Sequence, residues 1–204
     1  MESPVTGVVL AAGASERMGE PKLLLPFGGS TLLNTTLASV EASLVDRVIM
    51  VTGANAEAIE ASIVADRASV VRNPDYRRGN MSSLLTAVAA DADAAAFIIV
   101  PGDMPTVRVG VVDRMVSLWK EGGPWAAVTS YTDGVGHPFL MSRQALDTAA
   151  QTSGDRVLGR LLIESGDQRV VTLKVEAEAP QDVNTQEAYN TLLEAERRST
   201  LGND

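Results

Sequence analysis

Residues 8–22 constrain this chain more than any other stretch. They read Val8-Val9-Leu10-Ala11-Ala12-Gly13-Ala14-Ser15-Glu16-Arg17-Met18-Gly19-Glu20-Pro21-Lys22. An apolar run ending at Leu10 is the pattern of a strand buried on both faces, as in parallel sheets covered by helices. The run breaks into a loop in which Gly13 and its alanine neighbours keep bulk off the main chain, so a ligand can approach the N–H groups. Arg17 then offers a planar fork of donors and Lys22 a mobile point charge, the two usual complements of a polyphosphate. A Gly-rich turn made for geometry alone would share some of these features. The order of the residues separates the two readings, and it points to a triphosphate cradle.

Two better-known phosphate loops do not fit. No Gly-x4-Gly-Lys-Ser/Thr run exists in the chain, and no G-x-G-x-x-G follows a strand. The nearest approach, Gly134-Val135-Gly136, follows a Thr132-Asp133 turn and leads into Pro138, so it cannot open a helix. Composition narrows the ligand further. A formal net charge of -9 argues against a nucleic-acid polymer, which demands basic patches. A single nucleotide is still allowed, because one metal ion and two basic side chains neutralise a triphosphate locally. Zero cysteines exclude disulfides, thiolate metal sites and a Cys nucleophile. Met1-Glu2-Ser3-Pro4 does not begin a signal peptide, and no run approaches the roughly 18 apolar residues of a membrane span. The expectation is a soluble cytoplasmic protein with no nucleic-acid or membrane partner.

Strand and helix signals alternate along all 204 residues, the pattern of a doubly wound, Rossmann-like α/β sheet. Strands are expected at 47–51, 68–71, 96–100, 126–130, 138–141 and 169–175. Helices are expected at 31–43 with Ser30 as N-cap, and at 54–65, 81–90, 109–120, 142–150, 157–164 and 186–197. No linker, repeat or low-complexity tract interrupts the chain, so one domain spans 1–198, with 199–204 a polar tail. The looser second half is expected to lay a small antiparallel element over the active face of a mostly parallel sheet.

Ligands of open α/β sheets bind outside the carboxyl ends of the strands. The loop carrying Arg17 and Lys22 takes that position, and so does Pro101-Gly102-Asp103-Met104-Pro105, which leaves the most apolar strand. Asp103 has two readings, metal ligand and cap of the next helix. As a ligand it suits Mg²⁺, which prefers oxygen and water and binds through one or two carboxylates plus substrate phosphates. Asp182-Val183-Asn184-Thr185, before the last helix, is the candidate for a second oxygen ligand; its other reading is an N-cap.

Leu10-Ala11-Ala12-Gly13-x-Ser15-x-Arg17-Met18-Gly19-x-x-Lys22-x-Leu24-Leu25 resembles the signature of the MobA-like nucleotidyltransferases, most closely their molybdenum cofactor cytidylyltransferase branch. The resemblance continues in Asn73-Pro74-x-Tyr76-x-x-Gly79-x-Met81-x-Ser83-Leu84, Gly102-Asp103-Met104-Pro105, Gly136-His137-Pro138 and Asp182-Val183-Asn184-Thr185. It implies a nucleotide-diphospho-sugar transferase type of fold. It also implies that Asn184 is the second metal contact, where many members of that branch carry Asp. Leu10, Ala11, Ala12, Gly13, Ser15, Arg17, Lys22 and Ser83 would bind the nucleotide. The base is CTP's, since guanine-using relatives typically carry Gly at the position of Ala12. Lys22, Arg17 and Asp103 would be catalytic, with Mg²⁺ on Asp103 and Asn184.

The chemistry that follows is in-line attack of an acceptor phosphate on the α-phosphorus with loss of pyrophosphate, which needs positioning and charge neutralisation more than a protein nucleophile. An ionised acceptor phosphate requires no general base, in keeping with a single His. His137 and Arg78 are the candidates for acceptor contact; as ordinary residues they would be a turn His and a solvated Arg. The acceptor implied is a small phosphorylated molecule, molybdopterin or else a sugar or polyol phosphate, with a molybdoenzyme or its maturation chaperone downstream. Two rival classes remain on this scaffold: an NAD(P)-dependent oxidoreductase, and a non-catalytic nucleotide-binding chaperone.

Overall fold

The computed structural model describes residues 4–15, 17–152 and 157–201. The first half runs β1 (Val5–Ala11), a small hairpin of β2 (Pro26–Phe27) and β3 (Ser30–Thr31), α1 (Leu32–Glu41), β4 (Arg47–Thr52), α2 (Ala56–Ser62), β5 (Ala68–Arg72), α3 (Asn80–Ala90) and β6 (Ala96–Pro101). The second half continues with α4 (Val109–Gly122), β7 (Ala126–Tyr131), β8 (Gly134–Ser142), α5 (Arg143–Ala150), α6 (Val157–Gly159), β9 (Val170–Lys174) and α7 (Gln186–Leu201).

Seven strands form one sheet in the order β5-β4-β1-β6-β8-β7-β9. The period-2 alternation of β1 assigns its side chains to two cores. Val5, Val9 and Ala11 join Leu33, Leu37, Val112 and Met115 of α1 and α4 on one face. Val8, with Leu10 packed beside it, joins Leu84, Ala87, Leu146 and Ala149 of α3 and α5 on the other. Helices therefore cover both faces of a mostly parallel sheet, as the apolar runs required.

β4 and β6 flank β1 in parallel, while β8 lies antiparallel between β6 and β7, with Ile99 opposite Phe139. The start of β8 therefore lies at the edge of the sheet where β1, β4 and β6 end. The small antiparallel element expected of the second half is thus β8, a strand inside the main sheet. The one detached antiparallel pair among the described residues, β2 with β3, belongs to the first half. From the second half, α6 borders the active face together with the start of β8 and the segment before α7, and a π-helical turn over Arg160–Glu164 follows α6 in place of one continuous helix.

Thr31 and not Ser30 caps α1, its hydroxyl accepting from the Asn34 N–H at 3.2 Å. The last helix runs to Leu201, into the segment expected to be a tail, and residues 202–204 lie outside the described set. Tyr189 and Leu192 of α7 pack on Phe27, Leu32 and Val183, and the Tyr189 hydroxyl donates to the Pro26 carbonyl at 2.7 Å. This anchoring returns the residues before α7 to the loop after β1. No helix among the described residues is long and apolar enough to cross a membrane.

Candidate active site

A cleft of about 1200 Å³ follows the edge where the parallel strands end. The β1 loop contributes Leu10, Ala12, Gly13, Ser15, Arg17 and Lys22, the β6 loop Asp103, α3 Ser83, the start of β8 His137, and the segment before α7 Asn184. Arg78, on a 3-10 turn after β5, stands at the rim. Every site residue picked out in the sequence borders this cleft except Ala11. Its side chain is fully buried in the core that contains α1, because alternation along β1 turns it away from Leu10 and Ala12.

The centre of the cleft is a cluster of charged and amide groups. Lys22 Nζ donates to Asp103 Oδ2 at 2.5 Å and to Asn184 Oδ1 at 2.9 Å. Arg17 Nη2 donates to the same Asn184 oxygen at 3.0 Å. Residues as far apart as 17 and 184 converge on one point, which sequence spacing alone does not reveal. The Asn184 amide also donates to Asp182, leaving its oxygen toward the two cations. Asp103 is 7% exposed, and its carbonyl accepts from the Val183 N–H at 3.3 Å, tying the β6 loop to the segment before α7. No hydrogen bond from the backbone of α4 reaches its carboxylate among those described, so the helix-cap reading of Asp103 falls away.

The loop after β1 is held in an uncommon conformation. Ser15 has φ of 56°, a left-handed backbone that a residue with a Cβ adopts at a cost of order 1 kcal/mol. Its carbonyl accepts from the Met18 N–H at 2.9 Å, and its hydroxyl accepts from the Lys22 N–H at 3.3 Å. The strain is thus used to fold the loop back so that Lys22 follows the turn into the cleft. Gly13 is exposed, and a Cβ placed on it would meet nothing within 4 Å. Its lack of a side chain is therefore not demanded by protein packing. At Gly53 the reverse holds: a Cβ there would lie 2.8 Å from the Ala12 Cβ and 2.7 Å from that of Tyr76.

Ser83 is buried at 3% exposure and accepts from Asn73 Nδ2 at 2.9 Å. Asn73, itself buried, also donates to Ser82 and accepts from the Asp75 N–H, so it fixes both the loop after β5 and the Ser83 hydroxyl. This role was missed in the sequence, where Asn73 reads as a turn residue. Arg78 is exposed and only 3.9 Å from Asp75. His137 Nδ1 lies 3.1 Å from the Ile99 carbonyl, which can only accept, so Nδ1 carries the proton. Burial drives its pKa down to about 4, outweighing the Ile99 carbonyl and the charge of Asp182, which push it up. The ring is neutral at neutral pH, so any contact it makes with the acceptor is not that of a counter-ion to a phosphate.

Among the described residues no group of three or more His, Cys, Asp and Glu side chains could hold a metal. The oxygens of Asp103 and Asn184 nevertheless meet at one cation, the Lys22 ammonium, which is the donor chemistry of a hard, oxygen-preferring ion.

Residues 7–170 match the MobA-like NTP transferase domain. The chain is 30% identical to the molybdenum cofactor cytidylyltransferase of Escherichia coli K12, covering 94% of its own length and 97% of that protein's. It is 34% identical to the nicotine blue oxidoreductase of Paenarthrobacter nicotinovorans over 74% and 78% of the two chains. The crystal structure of Rv0371c from Mycobacterium tuberculosis H37Rv superposes with a TM-score of 0.84 at 35% identity, covering 94% of this chain and 98% of that one; a manganese complex of the same protein superposes with a TM-score of 0.79 at 33% identity over 94% and 99%.

Proposed function

The chain belongs to the MobA-like NTP transferase family and is a nucleotidyltransferase; from that premise we propose that it joins CMP from CTP to the phosphate of molybdopterin and releases pyrophosphate. The observation that carries this reading is the Lys22–Asp103–Asn184–Arg17 cluster at the carboxyl edge of the sheet. An acidic protein can hold a triphosphate there, because two cations are concentrated at a single rim beside the oxygens of Asp103 and Asn184, which would hold a divalent ion.

In the transfer, an oxygen of the acceptor phosphate forms a bond to the α-phosphorus, and the bond from the α-phosphorus to the bridging oxygen of pyrophosphate breaks in line with it. Backbone N–H groups of Gly13 to Ser15 hold the β- and γ-phosphates, and Arg17 stabilises the charge on the departing pyrophosphate. Lys22 exchanges its present partners for phosphate oxygens as the nucleotide enters, leaving the oxygens of Asp103 and Asn184 turned into the cleft. Those two residues fit Mg²⁺, which when bound supplies positive charge beside the α-phosphate. Ser83, oriented by Asn73, donates its free hydroxyl proton to the nucleoside. The E. coli cytidylyltransferase and Ala12 support cytosine as the base.

A second reading, hydride transfer as in an NAD(P)-dependent oxidoreductase, has the nicotine blue oxidoreductase relative in its favour and the missing dinucleotide loop against it. Pyrophosphate release from each of the four nucleoside triphosphates with Mg²⁺, with and without molybdopterin, separates the two. Release that depends on both CTP and molybdopterin is expected. Preference for GTP overturns the base, and oxidation of a nicotinamide cofactor without any triphosphate overturns the transfer.

Gly13 provides a finer check on the loop. Gly13→Ala adds a Cβ that meets nothing within 4 Å in the protein, so its thermal midpoint should match the wild type. The new side chain stands where phosphate oxygens meet the loop N–H groups. CTP binding, read by isothermal calorimetry, should weaken about tenfold or more, the worth of one charge-assisted hydrogen bond. Unchanged CTP affinity would place the triphosphate elsewhere.

A further inference from the structure

The cation cluster divides the cleft in two. In the strand order β5-β4-β1-β6-β8, Lys22 and Asp103 follow the central pair β1 and β6. On one side stand Ser83 and the loop after β5; on the other stands the start of β8, with His137. A nucleoside held by the β1 loop and Ser83 occupies the first side. The body of the acceptor, whose phosphate must reach the centre, then lies on the second.

That second side differs in chemistry from the rest of the cleft. Ile99, Phe139 and Leu158 border it with apolar surface, and the imidazole of His137 packs against Phe139 with ring centroids 4.0 Å apart, tilted by 31°. The Nδ1–H of His137 is committed to the Ile99 carbonyl. Its Nε2 has no partner among the described residues. A neutral imidazole with its proton on Nδ1 has a bare lone pair at Nε2, so it accepts a hydrogen bond and repels an anionic oxygen. Where Arg17, Lys22 and Arg78 offer only donors, His137 offers an acceptor.

We propose that His137 is a specificity-determining residue that accepts, through Nε2, a hydrogen bond from an N–H group on the uncharged heterocyclic body of the acceptor. This assignment rests on the transferase reading above, in that the heterocycle is the body of the molecule whose phosphate is attacked. It selects a nitrogen heterocycle with an N–H edge over a sugar or polyol phosphate, whose body would meet the apolar wall with hydroxyl groups. Burial, which keeps the ring neutral, maintains this polarity throughout the neutral pH range.

The test compares His137→Phe, which keeps a ring and loses both nitrogens, with His137→Gln, whose side-chain amide oxygen reaches the place of Nε2. In CMP transfer to molybdopterin, His137→Phe should raise KM for the acceptor about tenfold to a hundredfold, the loss of one hydrogen bond to a buried partner. KM for CTP and kcat at saturating acceptor should stay near the wild type, and His137→Gln should recover most of the acceptor KM. A merely structural role would shift CTP and acceptor alike and would not be rescued by Gln. A second readout needs no turnover: binding of 6-hydroxymethylpterin, followed by its own fluorescence, against an analogue methylated on every N–H. Tighter binding of the unmethylated pterin by the wild type, lost in His137→Phe, supports the assignment. Equal binding of the two probes, or an unchanged acceptor KM in His137→Phe, overturns it. Failure of CMP transfer alongside His137-dependent pterin binding would instead refute the proposed CMP transfer and leave standing only the contact of His137 with an N–H heterocycle.

Discussion

Asp103→Asn lowers nucleotidyl transfer by about three orders of magnitude and leaves the fold in place. The estimate follows from what removal of one preorganised charge at a reacting phosphate usually costs. Asn is nearly isosteric with Asp, so its amide oxygen still accepts from Lys22, and the backbone bond from Val183 to the Asp103 carbonyl is untouched. What disappears is the negative charge. Without it the central cluster holds two cations and two neutral amide oxygens, a set that binds a triphosphate well and a divalent ion poorly. The variant should therefore bind CTP with affinity equal to or better than the wild type while failing to turn it over. Calorimetry with CTP, pyrophosphate release and the thermal midpoint together resolve this pattern. Retention of more than about a tenth of the rate would remove the carboxylate from the chemistry.

The same residues show how far the amino-acid sequence carries the argument. Chemical type and order along the chain were enough to mark Lys22, Arg17 and Asp103, because a buried strand followed by small residues and then by a charged group leaves few alternatives, whereas Ser83 was marked by the family resemblance. The sheet class was legible for the same reason: apolar runs such as Ala96–Val100 have to be covered on both faces. What was not legible depends on contacts between distant segments. The strand expected at 138–141 begins at Gly134, as the nine-residue β8, because pairing with β7 and β6 supplies what local propensity withholds. That insertion brings His137 to the rim, and its ring nitrogens acquire their roles only from the Ile99 carbonyl beside them. Ala11 was misassigned for the opposite reason. It lies within the most informative motif, but the alternation of the strand turns its side chain into the core. Asn73 acts through an amide that meets Ser82 and Ser83 of α3, which no spacing rule announces; Asn184 was marked as a second oxygen ligand, but its meeting with Arg17 and Lys22 shows only in the fold.

Lys22→Met is the most telling substitution, because it should change two properties in opposite directions. The ammonium lies 2.5 Å from Asp103 Oδ2 and 2.9 Å from Asn184 Oδ1, the two oxygens assigned to a divalent ion. One set of lone pairs cannot serve both cations fully, so in the nucleotide-free protein Lys22 competes with the metal. Both side chains are largely buried, at 15% and 10% exposure, so water screens this competition only in part. Met keeps the aliphatic stem packed and removes the charge. Mn²⁺ binding without nucleotide, followed by electron paramagnetic resonance, should tighten about tenfold, since a charge-assisted hydrogen bond is worth about 1.5–3 kcal/mol. Transfer should fall about a hundredfold or more in the same variant, because the cation that meets the phosphates is gone. Arg17→Met, which removes a cation that touches Asn184 but not Asp103, should weaken CTP binding with a smaller gain in Mn²⁺ affinity. If Lys22→Met instead bound Mn²⁺ no more tightly than the wild type, the ammonium would be a fixed structural partner of Asp103. The ion pair that closes the empty cleft would then not be the one that nucleotide entry opens.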